Sequence, residues 1–173
     1  MELRGTSFIL RPWQRGDEHA IVPHANNWNV ARNVGDRFPH PYTLENAKRF
    51  VGRWSDQAPP QRVFAIVVDG KPAGSVGIHE NGDVLRRTYE LGYWLGETYW
   101  GRGITTEAVG LATAYAFEVL PAIRLEAHVY ARNPASVRVL EKNGYTCEGR
   151  LRKRVFKAGE VLDEFIYARL RGE

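Results

Sequence analysis

Residues 89–109, YELGYWLGETYWGRGITTEAV, change character halfway along. From Tyr89 to Leu95 the aromatic and bulky side chains read as a buried strand. Gly96, Gly101 and Gly103 then break it. Thr105-Thr106-Glu107 opens a run with helical periodicity, in which a hydroxyl can cap and a carboxylate complements the helix N-terminus. The local order is therefore strand, glycine turn, helix. Such a junction gathers unpaired backbone N–H groups and the positive end of a helix dipole at one point, and glycines let a ligand approach the backbone. It suits an anion, phosphate above all.

Upstream of this stretch, Arg62–Val68 is a near-continuous β-type run, and Asp69-Gly70 turns it into a second strand over Ala73–His79. Asn81-Gly82-Asp83 is the next turn, leading into Tyr89. Nearer the start, Ser7–Trp13 reads as a strand and Asp17 as the cap of a short helix over Glu18–Ala25. A further helical piece covers Trp28–Asn33. The loop Gly35–Tyr42, with two prolines around His40, cannot be regular structure. Thr43 then starts a clearer helix, in which Leu44, Ala47, Val51 and Trp54 form one apolar stripe that Pro59-Pro60 ends.

Downstream, Ala108, Leu111, Ala112, Tyr115 and Val119 mark a helix with a small face, stopped at Pro121. Arg124–Tyr130 is a strand. Asn133-Pro134 starts another helix, and Gly144 is its stop. Tyr145–Phe156 and Val161–Leu170 close the chain as a long hairpin. The strand, helix, strand unit in the middle sets two strands parallel while the flanking hairpins are antiparallel, so the sheet is mixed, with helices on its faces.

The chain has 173 residues, 43% of them hydrophobic and 25% charged, which fits one globular domain spanning residues 1–173. No apolar run approaches the length of a membrane span, and Met1-Glu2-Leu3-Arg4-Gly5 lacks the apolar core of a secretion signal, so the expected location is the cytoplasm. A single cysteine, Cys147, cannot staple the fold. The net charge of +4 suits an acidic ligand without demanding nucleic acid. On a strand, Arg152 and Arg154 share a face and Lys153 opposes them, which dilutes the only basic run. His19, His24, His40, His79 and His128 show no metal-binding spacing.

Taken alone, the turn Gly101-Arg102-Gly103-Ile104-Thr105-Thr106 leaves its ligand open. A Walker P-loop is excluded, because no Gly-Lys-Ser/Thr follows. A dinucleotide fingerprint fits in part: Thr106 stands where a third glycine belongs, and Glu126, at a plausible distance for a ribose carboxylate, falls in mid-strand. A plain tight turn is also open. The surroundings add a third reading. The phrases Glu90-Leu91-Gly92-Tyr93-Trp94-Leu95, Tyr99–Gly103 with Thr106-Glu107-Ala108, and Asn133-Pro134-Ala135-Ser136 with Glu141–Tyr145 resemble the GNAT (Gcn5-related) N-acetyltransferase superfamily, in its RimJ/RimL-type branch. Leu10-Arg11-Pro12-Trp13 and Pro39-His40-Pro41-Tyr42 are similar to that branch too. In the family's coenzyme A motif, Arg/Gln-x-x-Gly-x-Gly/Ala, Trp100 replaces the opening residue and Thr105 the closing one.

The resemblance implies an α/β (α+β) GNAT fold, a mixed and mostly antiparallel sheet of about six to seven strands with helices on both faces. It implies acetyl-CoA as co-substrate and no metal. The acceptor is then a primary amine, either a protein N-terminal α-amino group or a small-molecule amine, and the chain a monomer or homodimer. Trp100 and Gly101 would belong to the coenzyme site, and backbone N–H groups of Arg102, Gly103, Ile104, Thr105 and Thr106 would hold the diphosphate, with Arg102 adding a charge-assisted bond. The pantetheine arm would lie beside Trp94-Leu95, where the strand splays from Leu125–Tyr130, and would bond Asn133. Lys142 would meet the adenosine phosphate. Transfer needs a neutral amine, and Glu90, a carboxylate in an apolar strand beside the splay, is the candidate base. Ser136 is the candidate donor to the leaving thiolate, with Tyr145 in reserve. A rival reading is a CoA-binding regulatory module without catalysis.

Overall fold

A continuous apolar run such as Val63–Val68 makes a stable strand only when both of its faces are covered. In the computed structural model, which describes all 173 residues, both are. Phe64, Ile66 and Val68 enter a larger core cluster, and the alternate residues Val63, Ala65 and Val67 enter a second one on the opposite face. That strand is β3 of eight, after β1 (Leu3–Arg4) and β2 (Ile9–Pro12). It is followed by β4 (Lys71–Glu80), β5 (Thr88–Leu95), β6 (Arg124–Tyr130), β7 (Thr146–Lys157) and β8 (Glu160–Leu170). They form one sheet in the order β1-β2-β3-β4-β5-β6-β8-β7. Every neighbouring pair is antiparallel except β5 and β6, which run parallel. The class is the expected mixed α/β one. The strand count exceeds the expected six to seven, in part because β1 is two residues long and carries no periodicity to read.

Five helices complete the fold. α1 (Glu18–Ala25), α2 (Trp28–Ala31) and α3 (Leu44–Ser55) come before the central strands, α4 (Ile104–Val119) links β5 to β6, and α5 (Pro134–Lys142) links β6 to β7. α4 packs on the larger core through Ile104, Ala108, Val109, Ala112, Tyr115 and Ala116, and the small residues let it lie close to the sheet. α1 and α3 cover the other face with Ile21, Ala25, Ala47 and Val51 around Trp13.

Two local readings are corrected. Asp17 does not cap α1 with its side chain. Its carboxylate instead takes both guanidinium nitrogens of Arg11, each at 2.8 Å, and the Gln14 N–H, because a buried arginine is the stronger partner. In β7 the alternation fails at 152–154, where the register slips and Lys153 takes a φ of 53°. The basic run there is met by acids of β8: Arg150 by Asp163, and Arg154 by Glu164 at 3.8 Å.

Candidate active site

β5 and β6 pair only from Thr88–Glu90 to Arg124–Glu126. Beyond that point β5 stays on β4 as far as Leu95, and β6 stays on β8 as far as Tyr130, so the two strands part. The start of α5, only a few residues after β6, is held over β5 by the contact of Ser136 with Tyr93. The parting leaves the backbone N–H and C=O groups of Leu91–Leu95 that point away from β4 without a strand partner, and such groups take an extended amide chain as readily as another strand. A cleft of about 650 Å3 runs through the gap, lined by Glu90–Leu95, Ala127–Tyr130, the glycine turn and the first turn of α5.

At one end of the cleft, Gly101 and Gly103 take φ values of 75° and 77°. A side chain at either would be strained in this left-handed conformation, which glycine adopts freely. Gly103 is the N-cap of α4 and no side chain caps that helix, so Thr105 and Thr106 are first-turn residues and not caps. The first N–H groups of α4 are thereby left to an anion. The carboxylates that flank the turn in sequence are engaged elsewhere: Glu107 accepts from Thr6 N and Oγ1, and Glu97 from the side-chain amides of Asn27 and Asn29. Neither departure from the motif disturbs the cradle. Trp100 donates its indole N–H to the Leu95 carbonyl at 2.8 Å, closing the turn on the strand, and Thr105 sits in helical backbone.

The residues expected at the site fall into three groups. Glu90, Trp94, Leu95, Trp100, Gly101, Gly103, Ile104, Thr105, Thr106, Asn133, Ser136 and Lys142 all line the cleft. Asn133 has a second duty, since its Oδ1 accepts the Ser136 N–H at 3.2 Å and caps α5. The Arg102 side chain does not line it: Nη2 donates to the Thr98 carbonyl and the guanidinium lies over the Tyr99 ring. Tyr145 is also outside. It is 3% exposed, its hydroxyl is 2.8 Å from Thr113 Oγ1, and burial pushes its phenol up to about 12.

The phenol that reaches Ser136 is Tyr93, with its hydroxyl 2.7 Å from Ser136 Oγ. Burial raises its pKa, although the Ser136 bond acts the other way, so it remains a hydrogen-bonding phenol. Sequence reasoning missed this residue, although the alternation Tyr89, Leu91, Tyr93, Leu95 sets it on the face of the larger core where α5 packs. It also missed Arg138, which lines the cleft one helical turn before Lys142, so both cations lie on one side of α5. A third omission is His128, whose Nδ1 is 3.1 Å from Glu164 Oε2, with both side chains lining the cleft. The signal for it was the strict alternation of Leu125, Ala127 and Val129 in the core with Glu126, His128 and Tyr130 opposite. No cluster of three or more His, Cys, Asp or Glu side chains is arranged to hold a metal ion.

Residues 7–146 match the acetyltransferase (GNAT) domain. The chain is 34% identical over 172 residues to the probable N-acetyltransferase YjcK of Bacillus subtilis (strain 168), covering 96% of this chain and 95% of that one. It is 31% identical over 156 residues to spermidine N(1)-acetyltransferase of Escherichia coli (strain K12), covering 89% and 81%. In fold it is similar to the ribosomal L7/L12 alpha-N-protein acetyltransferase RimL in complex with coenzyme A, with a TM-score of 0.84 at 19% identity over 98% of both chains. Splayed parallel strands, a glycine-capped helix aimed at the gap and this likeness over nearly the whole chain agree: it belongs to the GNAT acetyltransferase family, as an N-acetyltransferase with acetyl-CoA as its co-substrate.

Proposed function

We propose that the acceptor is a small, cationic primary amine of the di- or polyamine kind, acetylated by direct transfer without a covalent enzyme intermediate. The observation that carries this reading is the acceptor side of the cleft. Glu90 and Glu164 line it together with the aromatic rings of Trp94 and Tyr130 and the side chains of Asn29 and Asn33. Its outer wall, Asn29–Gly35, is pinned to the β7–β8 hairpin by Arg132, which bonds the Arg32 carbonyl and Glu160, and by Lys157 on Asp36 at 2.8 Å. A carboxylate and aromatic lining attracts an ammonium and its methylene chain, and a pinned wall favours a slim acceptor over a folded polypeptide. The 31% identity to a spermidine N(1)-acetyltransferase supports the same class. The likeness to RimL, at 19% identity, speaks for the fold alone.

In this reading the first-turn N–H groups of α4 hold the diphosphate, and Arg138 and Lys142 meet the remaining phosphate charge. The pantetheine arm lies along Leu91–Leu95 as a further strand, and Asn133 bonds it through its amide nitrogen. Backbone N–H groups in the same gap stabilise the oxyanion that forms on the thioester. Glu90, exposed and without a hydrogen-bond partner in the chain, draws in the ammonium. Ser136 and Tyr93 stabilise the departing thiolate. A phenol held above its usual range is a poor acid towards a thiolate of pKa about 8.5, so the pair acts as a hydroxyl relay and not as a proton source. Residues 1–173 work as one catalytic domain, as a monomer or homodimer. Cytoplasmic placement belongs to the same proposal, in keeping with one free cysteine; no helix is long and apolar enough to cross a membrane.

An acceptor screen tests it. The enzyme with acetyl-CoA is offered spermidine, simpler diamines, monoamines, amino-acid derivatives and peptides with free N-termini, and thiol release and product mass are followed. Turnover of diamines and polyamines above peptides is expected. Turnover of peptides alone would overturn the small-amine reading, and acetyl-CoA binding with no turnover across the panel would favour the silent module.

A further inference from the structure

We infer that His128, held by Glu164, is the general base that takes the proton from the incoming ammonium, with Glu164 as its positioning residue. The location argues first. β6 is paired with β5 as far as Glu126, and His128 is the next residue whose side chain lies on the acceptor face, at the mouth of the gap. Across the gap, two residues beyond Glu90, stands Gly92, where an added Cβ would meet nothing within 4 Å. Amine and acetyl carbonyl therefore have room beside the imidazole, which is the only histidine lining the cleft.

The orientation argues second. Glu164 is 8% exposed, and its Oε2 lies 3.1 Å from His128 Nδ1 and 3.8 Å from Arg154 Nε. A carboxylate only accepts, so Nδ1 carries the hydrogen and the lone pair sits on Nε2. This is the arrangement that lets an imidazole act as a base while a buried carboxylate steadies the imidazolium it becomes. Glu90 has no such support. As a class, imidazoles titrate closer to an ammonium group than carboxylates do, which improves the match for proton abstraction.

The step balances as follows. The ammonium gives one proton to Nε2, and His128 passes it to solvent. The neutral nitrogen attacks the acetyl carbon, forming C–N; collapse of the intermediate breaks C–S. The nitrogen's second proton reaches sulfur through the Ser136 and Tyr93 hydroxyls. Amide, thiol and one released proton are the products.

This assignment rests on amine acetylation in the same cleft, so its kinetic test uses wild-type enzyme and an amine that it turns over. Other charged or titratable groups near this face are Glu126 and Tyr130 on β6, Glu90 on β5, His79 beside Glu90 on β4, Glu164 on β8, Arg154 on β7 and Asp36 after α2. His128→Gln is expected to lower kcat/KM about 100-fold and to remove the acid limb of its pH profile, with acetyl-CoA affinity unchanged by calorimetry. Added imidazole should restore turnover to His128→Ala. Glu164→Gln should move the acid limb, and Glu90→Gln should raise KM for the amine while leaving the limb in place. A His128→Gln enzyme with the wild-type limb, or a His128→Ala enzyme that imidazole does not rescue, overturns the assignment. Long-range 1H–15N correlation of the imidazoles is independent of turnover: the Nδ1–H tautomer is expected at His128 in wild type, and the Nε2–H tautomer would refute the dyad even if no acceptor were found.

Discussion

Tyr93 and Ser136 illustrate how one hydroxyl contact divides labour along a strand. Side chains of β5 alternate, so Tyr93 faces α5 and the coenzyme side while Glu90 and Trp94 face the acceptor side. The 2.7 Å contact makes the two hydroxyls one relay, and groups that act as a unit lose their effect together. Ser136→Ala and Tyr93→Phe are each expected to lower kcat about tenfold or more, and the double variant should be little worse than the poorer single one. Steady-state kinetics on the three variants checks this; fully multiplicative losses would show that the residues act separately. Tyr145→Phe, outside the cleft, should leave kcat near wild type.

At the scale of elements, two helices carry the phosphate end. α4 offers backbone dipoles through its uncapped glycine start, and α5 offers two cations one turn apart, Arg138 and Lys142. Cations near a highly charged ligand act through long-range attraction, which salt screens over about 8–10 Å. Replacing both by Ala is expected to raise the acetyl-CoA Kd about tenfold at low salt and to flatten its salt dependence, readable by calorimetry at two ionic strengths. On the opposite face, the Arg11–Asp17 pair ties β2 to the start of α1, with the side chains only 11% and 9% exposed. Asp17→Ala leaves a buried guanidinium without its partner, and a loss of about 3 kcal/mol in urea unfolding is expected. Loss of α1 packing would in turn loosen α2 and the acceptor wall, so KM for the amine should rise before that for acetyl-CoA.

For the whole molecule, burying phenols at the core sets a limit on the alkaline side. Tyr42 and Tyr145 are 4% and 3% exposed, and burial pushes both from about 10 up to about 12. Between those values the unfolded chain gives up protons that the folded chain keeps. Stability from these groups is therefore complete below pH 10 and is lost as pH rises towards 12, by roughly 1.4 kcal/mol per group per unit. Urea midpoints at pH 8, 10 and 11.5 should show a level stretch and then a steep fall. A Tyr42→Phe, Tyr145→Phe double variant should fall less steeply.

The sequence by itself determined the order of the elements and the cradle. Glycines at 101 and 103, the strand before them and the helix after them are local matters of backbone freedom and periodicity, and neighbours in sequence decide them. The same holds for Asn133 at the start of α5, and for the mixed sheet that a strand, helix, strand unit between hairpins requires. Only the tertiary structure decided which phenol meets Ser136 and which imidazole meets Glu164. Tyr93 and Ser136 are 43 residues apart, and His128 and Glu164 are 36 apart. Periodicity gives the face on which each side chain stands, but the partner across that face depends on strand order and on where two strands cease to pair. Arg102 and Tyr145 show the same limit from the other side: the right residue types stood near the site in sequence, and packing turned one back onto Thr98 and buried the other against Thr113.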